Sequence, residues 1–90
     1  MIFDVIQKYI LGNNKHEIII EDLDDILYFT KFFSLYLNEF QEEIEIDVRR
    51  IIIVIDIPNK KLIFTIIKKG LSISLNFSIE YSGEFKFGEQ

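Results

Sequence analysis

The sequence predicts an α+β fold, in which two helices pack on an antiparallel meander of three or four strands in the order helix, strand, helix, strand, strand, strand. Three observations carry this expectation. Apolar residues recur at spacings of three and four in two segments before residue 40, the helical period. From Glu43 onward the period becomes two. Residues 71–81 then alternate most regularly, with Leu71, Ile73, Leu75, Phe77, Ile79 and Tyr81 on one face and Ser72, Ser74, Asn76, Ser78 and Glu80 on the other. Strands buried on one side and wet on the other belong to antiparallel sheets, because parallel strands are covered on both faces. Helices first and strands afterwards complete the class. Ninety residues leave room for one domain, expected over 1–90.

The first helix is expected over residues 2–11. There Asp4, Gln7 and Lys8 share one side and Ile2, Val5, Ile6, Tyr9 and Ile10 the other, and Gly12 supplies a left-handed stop. Residues 16–20 read as a short strand, because three consecutive isoleucines are stiff at χ1 and suit a pleated surface. Its brevity predicts burial on both faces. Asp22 is a suitable N-cap, and Asp24 and Asp25 put negative charge in the first turn, where the helix dipole favours it. The helix that follows extends to Phe40 and carries one apolar stripe of Ile26, Phe29, Phe33, Tyr36, Leu37 and Phe40. A second stripe, Tyr28, Phe32 and Leu35, widens the apolar arc beyond what one sheet face covers. Either the first helix covers that stripe or a partner does, the former being favoured.

Beyond the helix, Ile44, Ile46 and Val48 alternate with Glu43, Glu45 and Asp47, and the phase slips by one residue across Arg49 and Arg50 before Ile51. A slip of one is what a β-bulge produces. Pro58 at the second position of a turn, followed by Asn59, leads into a strand over 62–67, and Lys69 and Gly70 form the next turn. Residues 84–87 have the composition of a short edge strand.

Composition narrows the function. The formal charge of -5 is uneven: residues 1–47 hold eleven acids against three lysines, and residues 48–90 hold seven bases against four acids. Affinity for a phosphate backbone comes from many cations, so the acidic half argues against direct nucleic-acid binding. With no cysteine there is no disulfide framework, thiolate nucleophile or cysteine-ligated zinc site, which fits a reducing compartment and an expected cytoplasmic location. The longest apolar run, 51–55, is far short of the roughly 20 residues that span a bilayer. Absence of alanine with heavy use of isoleucine, lysine and phenylalanine points to A/T-rich codons, hence a low-GC bacterium or its phage.

Catalytic chemistry finds little to work with. His16, the sole histidine, lacks neighbours at metal-ligand spacing. The acids Glu21, Asp22, Asp24 and Asp25 lack the sixth-position glycine and twelfth-position glutamate of a calcium loop, and capping accounts for them. Ser72, Ser74 and Ser78 stand on a wet strand face without a nucleophile turn, and the four glycines are isolated at turns. Lys60, Lys61, Lys68 and Lys69 bracket a hairpin, where lysines discourage edge pairing. No enzyme, metal or cofactor is expected.

One feature resists a purely structural account. Glu39, Glu42, Glu43, Glu45 and Asp47 crowd the end of the long helix, where negative charge opposes the dipole. A solvated face would explain them, and so would a surface that docks on a basic protein. The expectation is a small acidic noncatalytic protein that binds and neutralises another protein, as an immunity protein, antitoxin or phage-encoded inhibitor does. Its contacts are expected at Glu39, Glu42, Glu43, Glu45 and Asp47, with Tyr28, Phe32 and Leu35 as apolar anchor. The alternatives are a self-associating module, in which a homodimer forms, or a small-ligand binder.

Overall fold

A computed structural model of the chain describes residues 2–11, 16–36, 48–70 and 75–88. Two helices, α1 (Ile2–Ile10) and α2 (Leu23–Tyr36), lie against four strands, β1 (Glu17–Ile20), β2 (Val48–Asp56), β3 (Lys61–Lys68) and β4 (Leu75–Glu80). The strands form one antiparallel sheet in the order β1-β2-β3-β4. This is the α+β meander that the sequence predicts.

The register puts the buried apolar residues of the four strands on one face. Ile18 lies opposite Ile53 and Ile20 opposite Ile51 across β1 and β2. Ile51, Ile53 and Ile55 lie opposite Ile66, Phe64 and Leu62 across β2 and β3, and β4 adds Leu75, Phe77 and Ile79 to the same rows. The predicted bulge is present, with Val48 paired to Lys68 and Arg50 to Ile67, so that Arg49 is the extra residue. Val48 and Ile51 can therefore both point inward although they are three apart.

α2 covers this face with Ile26, Phe29 and Phe33, all buried. The Phe33 ring meets Phe64 and Phe77 edge-on at 5.1 and 5.0 Å, and Phe64 stacks on Phe77 at 5.2 Å. α1 buries Ile2, Ile6 and Ile10 into the same core. The tight turn after β2 is the expected one: Lys60 N–H donates to the Ile57 carbonyl, Asn59 donates to Asp56, and Lys60 takes a left-handed φ of 53°. At the next turn Gly70 has φ 75°, a conformation that glycine reaches without a Cβ clash.

Two expectations are corrected. β1 is buried on one face only, since Ile18 and Ile20 point inward while Ile19 is 49% exposed. The reason is that β1 is an edge strand with both helices on the inner side, so nothing covers its outer side among the described residues. Residues 84–87 do not pair as a strand; they run along α1 as an extended tail. There the Gln7 side-chain amide donates to the Lys86 carbonyl at 2.7 Å and accepts from the Lys86 N–H at 2.9 Å. Phe85 packs on Phe3 and Tyr81, and Phe87 on His16. The Gln7 amide thus satisfies both backbone polar groups of Lys86 without a strand partner.

Candidate protein-docking surface

The sequence-predicted contact residues divide into two groups. Glu39, Glu42, Glu43, Glu45 and Asp47 lie outside the described residues. Tyr28, Phe32 and Leu35 lie on α2, whose inner side is fixed by Ile26, Phe29 and Phe33. Leu35 is 86% exposed and Tyr28 42% exposed, so both face outward. Phe32 does not: it is half-buried, packs against the core and touches Phe33 edge-on at 6.0 Å. A hundred degrees separates successive helical residues, and Phe32 stands next to Phe33 on the flank of the inner stripe.

Two outward residues escape the stripe-based reading. Leu23 is 67% exposed and Leu27 51% exposed. With Leu35 they follow a four-residue spacing, Leu23, Leu27, Lys31, Leu35, which forms one ridge along a helix. That spacing was visible in the sequence, interrupted by Lys31 and overshadowed by the aromatic residues beside it. The ridge, with Tyr28 at its flank, is an apolar strip on the side of α2 away from the sheet.

The favoured expectation that α1 covers this side of α2 is also corrected. Among the described residues the polar contacts of α1 with α2 fall at the first turn of α2, where Tyr9 Oη donates to Asp25 at 2.6 Å and Lys8 Nζ lies 3.1 Å from the same oxygen. Nine helical residues span about 14 Å, too short to turn inward through Ile2, Ile6 and Ile10 and also reach along the outer side of a fourteen-residue helix. The hydrogen bond from Tyr9, supported by Lys8, holds the Asp25 carboxyl below its usual range against the opposing effect of burial. The Tyr9 hydroxyl is pushed up, first by burial and then by that same carboxylate.

The remaining acids near the start of α2 have local roles. Asp22 accepts the Asp25 N–H at 3.1 Å as N-cap, and Glu21 takes both Nε and Nη2 of Arg50 at 3.1 and 2.9 Å. Among the described residues no three histidine, cysteine or acidic side chains converge as a metal site. His16 is exposed and rests edge-on against Phe87 at 4.4 Å. A cleft of about 320 Å³ opens between Ile57, Lys60, Tyr81, Glu84, Phe85 and Phe87. Its cation is committed to the tail, since Lys60 Nζ donates to the Gly83 carbonyl and lies 5.4 Å from the Tyr81 ring centre. Among the described residues no helix is long and apolar enough to cross a membrane.

Comparison with protein-family models, with curated proteins and with solved structures finds no match to this chain.

Proposed function

We propose that this chain is a noncatalytic protein-binding module of the inhibitor or neutralising type, which docks on a protein with a basic surface. The observation that carries the reading is the exposed ridge Leu23, Leu27 and Leu35 with Tyr28, left uncovered by α1. Large apolar side chains gathered on one side of a surface helix mark interaction sites more often than single exposed residues do. Amphipathic helices of this kind dock in grooves through anchors at spacings of three and four. The acids 39–47 follow α2 directly in the chain, so the apolar anchor and the charge that would steer a basic partner belong to adjacent sequence. A surplus of negative charge raises the encounter rate with such a partner and makes it salt-dependent.

The test is affinity capture from a lysate of a low-GC bacterium with three baits: the wild-type chain, Leu27→Asp with Leu35→Asp, and Glu42→Lys with Glu43→Lys and Glu45→Lys. Circular dichroism confirms that all three are folded. One basic protein retained near unit stoichiometry by wild type, and lost by both variants and at high salt, is the expected result. Equal capture by all three baits would overturn the reading.

A further inference from the structure

We infer that the cleft between the turn after β2 and the C-terminal tail binds a free apolar α-amino acid, with its ammonium and carboxylate both unblocked. Three pieces of chain build the cleft: Ile57 and Lys60 come from the turn, Tyr81 from the end of β4, and Glu84, Phe85 and Phe87 from the tail. Its walls are fixed by contacts already made. The Tyr81 N–H donates to the Lys60 carbonyl at 3.0 Å, and Phe85 rests edge-on against Tyr81 at 5.0 Å. Gln7 holds the backbone of Lys86, between Phe85 and Phe87. A site shaped in advance costs its ligand little ordering.

Three polar groups at the cleft are unspent, and together they select the ligand. Tyr81 is only 8% exposed, yet no hydrogen bond engages its hydroxyl. Every sealed side-chain polar atom among the described residues has a partner, so this hydroxyl is not sealed, and it opens at the cleft that Tyr81 lines. Burial first, then the carboxylates of Asp56 and Glu84, push the hydroxyl up, so it stays protonated and both donates and accepts. Lys60 is half-buried; one of its three N–H donors goes to the Gly83 carbonyl, which pins the ammonium and leaves the others. Glu84 makes no hydrogen bond or ion pair among the described residues, whereas Asn59 takes both oxygens of Asp56. One positive and one negative charge therefore stand unpaired with each other at the same cleft. A simple amine meets Lys60 as a like charge, and a simple acid meets Glu84 so. A zwitterion offers each its opposite. Ile57, Phe85 and Phe87 beside these groups give the ligand's own side chain apolar and aromatic contacts. Size agrees: the cleft's volume of about 320 Å³ is at the lower end of the roughly 300–1,000 Å³ of small-molecule sites, which suits one amino acid better than a nucleotide or a peptide.

The experiment is a titration of the full chain with L-phenylalanine and with L-leucine, followed through backbone amide shifts in two-dimensional NMR. Three analogues accompany them. N-acetyl-L-phenylalanine lacks the ammonium and L-phenylalaninamide the carboxylate, so these two also stand for the ends of a peptide, and glycine lacks the side chain. Both amino acids are expected to bind at millimolar concentration or below and to shift the amides of Ile57, Lys60, Tyr81 and Phe85. They should bind more tightly than the three analogues by at least about fivefold. Tyr81→Phe and Glu84→Gln should each weaken amino acid binding by about three- to tenfold. Neither removed group holds another part of the chain, so both variants keep the fold. Glu84→Gln should not weaken N-acetyl-L-phenylalanine, which ties Glu84 to the ammonium. No shift of these amides at tens of millimolar amino acid would overturn the inference. So would a blocked analogue that binds as tightly as phenylalanine, or an affinity unchanged in both variants.

Discussion

Replacing Phe33 with alanine tests the packing that fixes which side of α2 faces outward. Phe33 is fully buried and its ring lies 5.9, 5.1 and 5.0 Å from Phe29, Phe64 and Phe77, so it joins α2 to β3 and β4 at one point. Truncating a buried phenylalanine costs about 3–5 kcal/mol from lost transfer energy and the cavity left behind. Edge-to-face pairs add roughly 0.5–1.5 kcal/mol each beyond area, which places this site toward the upper half of that range. At about 0.05–0.15 kcal/mol per residue, a ninety-residue chain has only about 5–13 kcal/mol to lose. A loss of about 4 kcal/mol therefore removes about three tenths or more of the total stability. Urea unfolding followed by circular dichroism reads it as a midpoint shift of about 2–4 M for a slope of about 1–2 kcal/mol/M. Phe33→Leu keeps most of the volume and should cost about half as much, while Leu27→Ala on the exposed side should change stability by less than about 0.5 kcal/mol. A Phe33→Ala midpoint within about 0.5 M of wild type would refute the packing described here.

Further expectations follow from single contacts. Gln7→Ala removes both hydrogen bonds to the Lys86 backbone and should destabilise by about 1–2 kcal/mol, with faster hydrogen exchange at Lys86 and its neighbours; unchanged exchange would show that the tail is held by its aromatic residues alone. Asp22→Ala should cost about 1 kcal/mol by leaving the first turn of α2 uncapped, and Asp22→Asn should recover most of it in the same urea assay. The Tyr9–Asp25 pair gives a pH signature. Asp25 is held low, so its contribution is present above the unfolded carboxylate range near pH 3.9 and is lost as pH falls through the folded value. Tyr9 is held high, so its contribution is present below about pH 10 and is lost as pH rises beyond it. The stability difference between wild type and Tyr9→Phe should therefore be largest near neutrality and shrink at pH 3 and at pH 11; a difference independent of pH would contradict the pairing.

Most of the fold is legible in the sequence because its signals are local. Periods of two and 3.6 placed the strands and helices, Asp22 marked the start of α2, and the three-residue step from Val48 to Ile51 located the bulge before any pairing was known. What escaped depends on how far elements reach in space. That α1 would stop at Asp25 rather than run beside Leu27 and Leu35 is set by its length and by the core it fills, neither of which the α2 pattern contains. Spacing groups Phe32 with Tyr28, yet its angular position next to Phe33 draws it to the core. The three isoleucines of β1 suggest burial on both faces because composition cannot tell a strand covered on both sides from an edge strand with one side open. Of the candidate contacts, Tyr28 and Leu35 are exposed as a docking role requires, and Leu23 and Leu27 extend them.

The central claim, that the outer ridge of α2 is where another protein docks, is tested most directly by site-specific photocrosslinking. A benzophenone side chain is placed in turn at Leu27, at Leu35, at Ile63 and at the exposed control Glu84, and the chain is irradiated in the lysate used for capture. The account predicts one covalent adduct to the same basic protein from Leu27 and from Leu35, and none from Ile63 or Glu84. Adducts to a foreign protein from Ile63 or Glu84 alone, with Leu27 and Leu35 silent, would contradict it.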